Sequence, residues 1–153
     1  MRKFIAILLM LVSVISGFES CTSYENGPAF SFLTPKKRAV GEWHLVDLLV
    51  NDKREQALFD KESTSVLILN EDGSYSYVLQ LVVKSANEMS GQWSFGEDKT
   101  ELVLSEIDSE NGNVEHYYRI TRLTRDEMWL VSNGDEYLGI DDLIERHFEK
   151  KEE

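Results

Sequence analysis

The sequence predicts an all-β domain whose antiparallel strands form a sandwich or a barrel. Three observations carry this. Between residues 39 and 150, short apolar runs recur with turn residues between them, at the spacing of roughly 8–12 residues typical of antiparallel folds. Residues 74–83 alternate with a period of two: Tyr75, Tyr77, Leu79 and Leu81 against Ser74, Ser76, Val78 and Gln80. A half-buried strand needs that period because successive side chains face opposite sides. Finally, Asn70-Glu71-Asp72-Gly73 places Asp-Gly where a hairpin needs φ > 0.

The elements follow in order. Residues 41–50 form the first strand, with Trp43, Leu45 and Leu49 on one face, interrupted by Asp47. Asn51-Asp52 is a turn. Residues 53–62 are polar around an Ala57-Leu58-Phe59 island, a loop or a helical turn. Residues 64–70 form the second strand and residues 74–83 the third, with Tyr75 and Tyr77 pointing inward. Residues 89–95 form the fourth, where Gly91 allows a bend or bulge. Residues 100–105 form the fifth, 114–123 the sixth and 128–132 the seventh. In the seventh, Trp129 and Val131 alternate with Met128 and Leu130, so one pair faces outward. Residues 143–150 also fit helical spacing, but a closing strand is preferred because it covers the sheet edge. A short helical turn near residues 141–144 can precede it.

The N-terminus reads differently. Arg2 and Lys3 precede an apolar run at residues 4–15, then Ser16-Gly17-Phe18-Glu19-Ser20-Cys21. A basic start, an apolar core and a small residue at the cut are the marks of a secretory signal. The run is shorter than the ~20 apolar residues of a permanent span. Cys21 is the only cysteine, so an exported chain has no internal disulfide to form. Gly17-Phe18-Glu19-Ser20-Cys21 resembles a bacterial lipobox, with Phe18 and Glu19 in place of its usual aliphatic and small residues. The resemblance implies that Cys21 is lipidated and that acyl chains hold the mature chain at a membrane. The organisation expected is a signal peptide at 1–20, lipidated Cys21 with a flexible linker to residue 38, a barrel domain at 39–150 and a tail at 151–153. The linker holds both prolines, Pro28 and Pro35, and the basic run Lys36-Lys37-Arg38. Its span, on the order of tens of Å, keeps the domain near the bilayer without pressing it down.

Charge excludes some partners. The chain carries −12, and acidic surfaces are repelled by nucleic acid and by anionic lipid. A lipid anchor, not a basic patch, is therefore expected to make the membrane contact. Aromatic content of 10% and hydrophobic content of 42% suit a folded globule rather than a disordered chain.

Several motifs resemble one family. Val40-Gly41-Glu42-Trp43 is similar to the opening G-x-W strand of lipocalin-like domains. Gly73-Ser74-Tyr75 resembles their D-G-[ST]-Y hairpin, and Gly91-Gln92-Trp93 a second G-x-W strand. Tyr118 to Leu130 is similar to their Y-x-I-x-x-L-[ST]-x-D-x-[ML]-x-L hairpin, and Glu145 to Lys150 to their closing E-x-x-F-x-K. The order of these motifs covers nearly the whole domain. The resemblance, to small lipocalin-like bacterial lipoproteins, implies an up-and-down eight-stranded β-barrel. It implies no ligand and no catalytic residue.

The chemistry to be expected is binding. His44, His116 and His147 lie on separate strands without H-x-x-H spacing, so no zinc site is signalled. Residues 108–113 lack the ligand spacing of a calcium loop and read as a hairpin at Asn111-Gly112. Asp135, Glu136, Asp141 and Asp142 read as a solvated rim. No nucleophile motif and no phosphate-cradling loop occur, so the chain is read as non-catalytic and without a cofactor. Trp43, Tyr75, Tyr77 and Trp93 are the candidate ligand-binding residues, since an eight-stranded barrel either fills with side chains or holds one small ligand. Asp47 is the expected partner for their polar atoms. Two functions follow: a lipid-anchored module of the outer membrane, on its periplasmic side, binding a small apolar or amphipathic ligand, or a non-catalytic subunit of an envelope protein complex.

Overall fold

The structure is a computed structural model that describes residues 24–28, 31–79, 87–108, 112–135 and 140–151. A short helix α1 (Pro35–Ala39) leads into strand β1 (Gly41–Val50). Strand β2 (Lys53–Arg54) and helix α2 (Gln56–Glu62) follow. Seven further strands complete the fold: β3 (Val66–Leu69), β4 (Ser74–Leu79), β5 (Asn87–Phe95), β6 (Glu101–Asp108), β7 (Gly112–Leu123), β8 (Glu127–Asp135) and β9 (Ile140–Lys150).

Strands β3 to β9 pair antiparallel in chain order, and β1 closes the ring by pairing with both β3 and β9. The result is the expected up-and-down eight-stranded barrel, with β2 a two-residue addition to the end of β1. Closure leaves none of the eight strands as a free edge. The tight turns are where the sequence puts them. Gly73 has φ +91 and donates its N–H to the Asn70 carbonyl. Asn51 and Asp52 have φ 49 and 62, the paired left-handed geometry of a two-residue hairpin.

One end of the barrel is closed by a plug. The core clusters Trp43, Leu67, Leu69, Trp93, Leu102, Met128 and Phe148, among others, with Ala39 and Tyr24. Here the structure corrects the expectation of a flexible linker up to residue 38. Tyr24 is only 3% exposed, and its hydroxyl donates to the Lys99 carbonyl at 3.1 Å. Asn26 donates its N–H to the Thr121 carbonyl. Arg38, 2% exposed, donates to the Leu123 carbonyl at 2.6 Å, with its guanidinium 5.3 Å from the Tyr24 ring centre. Helix α1 starts where Pro35 follows the N-cap Thr34, whose hydroxyl accepts from the Lys37 N–H. Turn-rich composition hides this packing, because one large aromatic suffices to fix the segment.

Three further expectations change. β1 shifts register between Leu45 and Asp47, a bulge that takes up Val46. One extra residue reverses the alternation beyond it. Leu48, not Leu49, is therefore buried, and Asp47 turns outward, 3.2 Å from Arg54. Gly91 sits in an unshifted register opposite Glu106. A Cβ there would lie 2.0 Å from the Ser105 carbonyl oxygen, so this glycine permits a close strand approach, not a bulge. The last segment is extended from Ile140 onward, with no helical turn at residues 141–144. The outer part of the third predicted strand, residues 80–83, and the Asn111 of the 108–113 hairpin lie outside the described residues, as do Cys21 and the signal segment.

Candidate functional site

The barrel interior has an aromatic floor and a polar upper layer. The floor is built from the inward rows of the strands. Trp43 is fully buried, and its Nε1–H donates to the Ala39 carbonyl at 2.7 Å. Lys150 caps its ring, with Nζ 4.6 Å from the ring centre while donating to the Arg38 and Val40 carbonyls at 2.8 and 2.7 Å. Burial holds this amine below the usual lysine pKa. Trp93 donates its Nε1–H to the Asn70 carbonyl at 2.9 Å and meets Phe95 edge-on at 5.6 Å. Tyr75 and Tyr77, 2% and 4% exposed, share the inner face of β4, and Tyr77 meets Phe148 edge-on at 6.4 Å.

All four candidate residues thus lie inside the barrel, but in different roles. Trp43 and Trp93 give their N–H groups to backbone carbonyls at the closed end. They belong to the plug. Tyr75, opposite Leu69, sits beside the closed-end turn, and Tyr77, opposite Leu67, lies one step further into the barrel. Asp47 serves none of them.

The upper layer was not legible from the sequence. On β9 the inward row runs Ile144, Arg146, Phe148. Arg146, 3% exposed, opposes Leu130 on β8 and Leu48 on β1. Its Nε and Nη2 donate to the two carboxylate oxygens of Glu62 at 3.0 and 3.1 Å. Glu62 comes from the last turn of α2 and is fully buried. Phe59, three residues earlier on the same helix, packs against the core, as i and i+3 positions share a face. Across the barrel, His116 opposes the buried Leu104 on the inner face, and its Nε2 lies 3.4 Å from Glu106 Oε1. Ser132 faces inward opposite Ile144, and its buried hydroxyl has no hydrogen-bond partner among the described residues. The one sequence sign was Arg146 itself, a charge in the alternating row of Ile144 and Phe148.

The interior is therefore amphipathic: aromatic and aliphatic below, two acid–base pairs and a spare hydroxyl above. An ion pair fully inside a barrel is costly to desolvate, so it specifies polarity rather than adding much net stability. Such a lining can hold the polar head of an amphiphile beside its apolar body.

The histidines do not converge. His44 bonds Glu42 at 2.8 Å on the outer face, and His147 stacks on Trp129 with ring centres 4.0 Å apart. Among the described residues, no three His, Cys, Asp or Glu side chains form a group able to hold a metal ion. On β8, Met128 and Leu130 are buried, so Trp129 is on the outward row, with Arg122 5.2 Å from its ring centre. A surface cleft between Gly41, Glu42, Arg125, Asp126 and Lys151 lies outside the barrel at its closed end, away from the polar layer.

Comparison with solved structures defines the class. The chain is similar to a lipocalin-like protein from Bacteroides uniformis, with 17% identity over 74% of this chain and 99% of that one, and a TM-score of 0.50. It is also similar to an uncharacterized protein from Bacteroides eggerthii, with 17% identity over 73% of this chain and 98% of that one, and a TM-score of 0.48. No protein-family profile matches the chain, and no curated protein does. At this identity the first likeness establishes the fold: the domain is a lipocalin-like barrel.

Proposed function

We propose that this protein is a lipid-anchored binding module of a bacterial cell envelope, taking a small amphipathic ligand into its barrel. The observation that carries the reading is the layered interior, where Arg146, Glu62, His116 and Glu106 lie above Tyr75, Tyr77 and the tryptophan plug. The apolar body of the ligand packs on Tyr75, Tyr77 and Met89. Its head exchanges hydrogen bonds with the polar layer and with Ser132. No step of bond making is assigned; the protein binds and does not catalyse. The lipobox-like segment ending in Cys21 supplies the anchor, at the outer membrane on its periplasmic side. The test is a titration of fatty acids, lysolipids and sterols into concentrated protein, read by tryptophan emission. Saturable change for an amphiphile supports the reading, and an unresponsive spectrum across the set rejects it.

A second reading has one observation of its own. Trp129 stands on the outer face, stacked on His147 and flanked by Arg122, where an aromatic anchor serves protein contact. It fits a non-catalytic subunit of an envelope complex. Pull-down from native membranes tests it: a stoichiometric protein lost in Trp129→Ala favours this reading, and its absence removes it.

A further inference from the structure

We infer that the closed end of the barrel rests on the bilayer, with the Phe32–Leu33 edge as its contact, and that the α2 end points away from the membrane. The inference rests on the proposed lipidation of Cys21 and adds an orientation to it.

Three observations converge. The first is chain length. Tyr24 is buried at the closed end, fixed by Lys99, Arg38 and the β7 backbone through its neighbour Asn26. Only three residue steps separate it from Cys21. Even fully extended, three residues reach about 10 Å. Acyl chains on Cys21 therefore hold this end against the headgroups, whereas a free linker to residue 38 would have let the domain tumble.

The second is an exposed apolar edge. Phe32 is 97% exposed and Leu33 38%, two of the four large exposed hydrophobics described. They immediately precede Thr34, the N-cap of α1, on which Lys36 and Lys37 are exposed. Aromatic and aliphatic side chains beside lysines suit the headgroup boundary, where the rings enter the acyl region and the ammonium groups stay with phosphate.

The third is charge. Among the described residues, the segments at the α2 end, residues 51–65, 88, 106, 112–115 and 140–146, hold ten Asp and Glu against four Lys and Arg, a net of −6. An anionic leaflet repels that end and turns it outward. With that end turned to the aqueous side, a ligand entering there comes from solution or from a passing carrier rather than from the lipid below.

The test uses the full-length acylated protein, purified from membranes and reconstituted in vesicles of phosphatidylethanolamine with a minority of phosphatidylglycerol. Because Cys21 is blocked, Arg125→Cys and Lys61→Cys each add a single labelling site, one at each end. Quenching by nitroxide lipid headgroups is expected to be several-fold stronger for the label at 125 than at 61. In addition, Phe32→Trp is expected to gain quenching by brominated acyl chains over the parent. Equal or reversed quenching at 125 and 61 in protein whose intact mass shows acyl chains overturns the orientation alone. No gain for Phe32→Trp overturns the contact edge. An intact mass without acyl chains overturns the anchor, and the orientation with it.

Discussion

Glu62 and Arg146, 84 positions apart in the chain, meet inside the barrel as a two-pronged ion pair at 3.0 and 3.1 Å. The contact ties α2 to β9 and puts charge where a barrel core is usually apolar. Removing one member leaves a buried charge without its counter-ion, at a cost of about 3–5 kcal/mol. Glu62→Gln and Arg146→Met should each lower the denaturation midpoint sharply. The double variant Glu62→Leu with Arg146→Met should recover most of the loss, as seen by urea unfolding.

The same pair sets what the barrel accepts. In the Glu62→Leu, Arg146→Met double variant, a neutral apolar probe should bind as well as before or better. An amphiphile with a charged head should lose at least about ten-fold in affinity, the loss of roughly one charge-assisted hydrogen bond. Competition between the two ligands, followed by tryptophan emission, reads this directly.

Gly91 tests the wall rather than the lining. A methyl group there would sit 2.0 Å from the Ser105 carbonyl oxygen, and neither backbone can yield without shifting the β5–β6 ladder. Gly91→Ala should cost about 1–3 kcal/mol, the range for forced overpacking. Gly112, whose added Cβ would meet nothing within 4 Å, is the contrast by space, although its φ of +79 strains any side chain there.

Alkaline pH should loosen the closed end. Burial pushes the Tyr24 hydroxyl up to about 12, with the Arg38 charge opposing and Asp98 adding to the rise. The unfolded chain ionises its tyrosines near ~10, so between these values the unfolded state releases a proton that the folded state keeps. Stability from this group is whole below pH ~10 and is lost as pH climbs towards 12. Thermal melts of the parent should fall across that window. Tyr24→Phe should show a weaker fall, starting about 1 kcal/mol lower for the missing bond to Lys99.

The strand layout was legible because barrel physics writes itself locally. Tyr75 and Tyr77 alternate with serines, and Asp72-Gly73 marks its turn. The aromatic lining was legible for the same reason. The single-residue bulge at Val46 was not, and it alone moved Asp47 out of the barrel and Leu48 in. The polar layer was hidden because its pairs join different elements: Glu62 reaches Arg146 only once α2 is seated, and His116 meets Glu106 only in the observed β6–β7 register. Tyr24 was hidden by its turn-rich neighbours, although its burial decides how close the domain sits to Cys21.

The most direct measurement is a native mass spectrum of the protein released gently from its own membranes. The predicted result is Cys21–Glu153 carrying acyl chains, with a small amphiphile bound one to one and lost in the Glu62→Leu, Arg146→Met variant. A chain without acyl groups and with an empty barrel in every preparation would contradict both the anchor and the binding function.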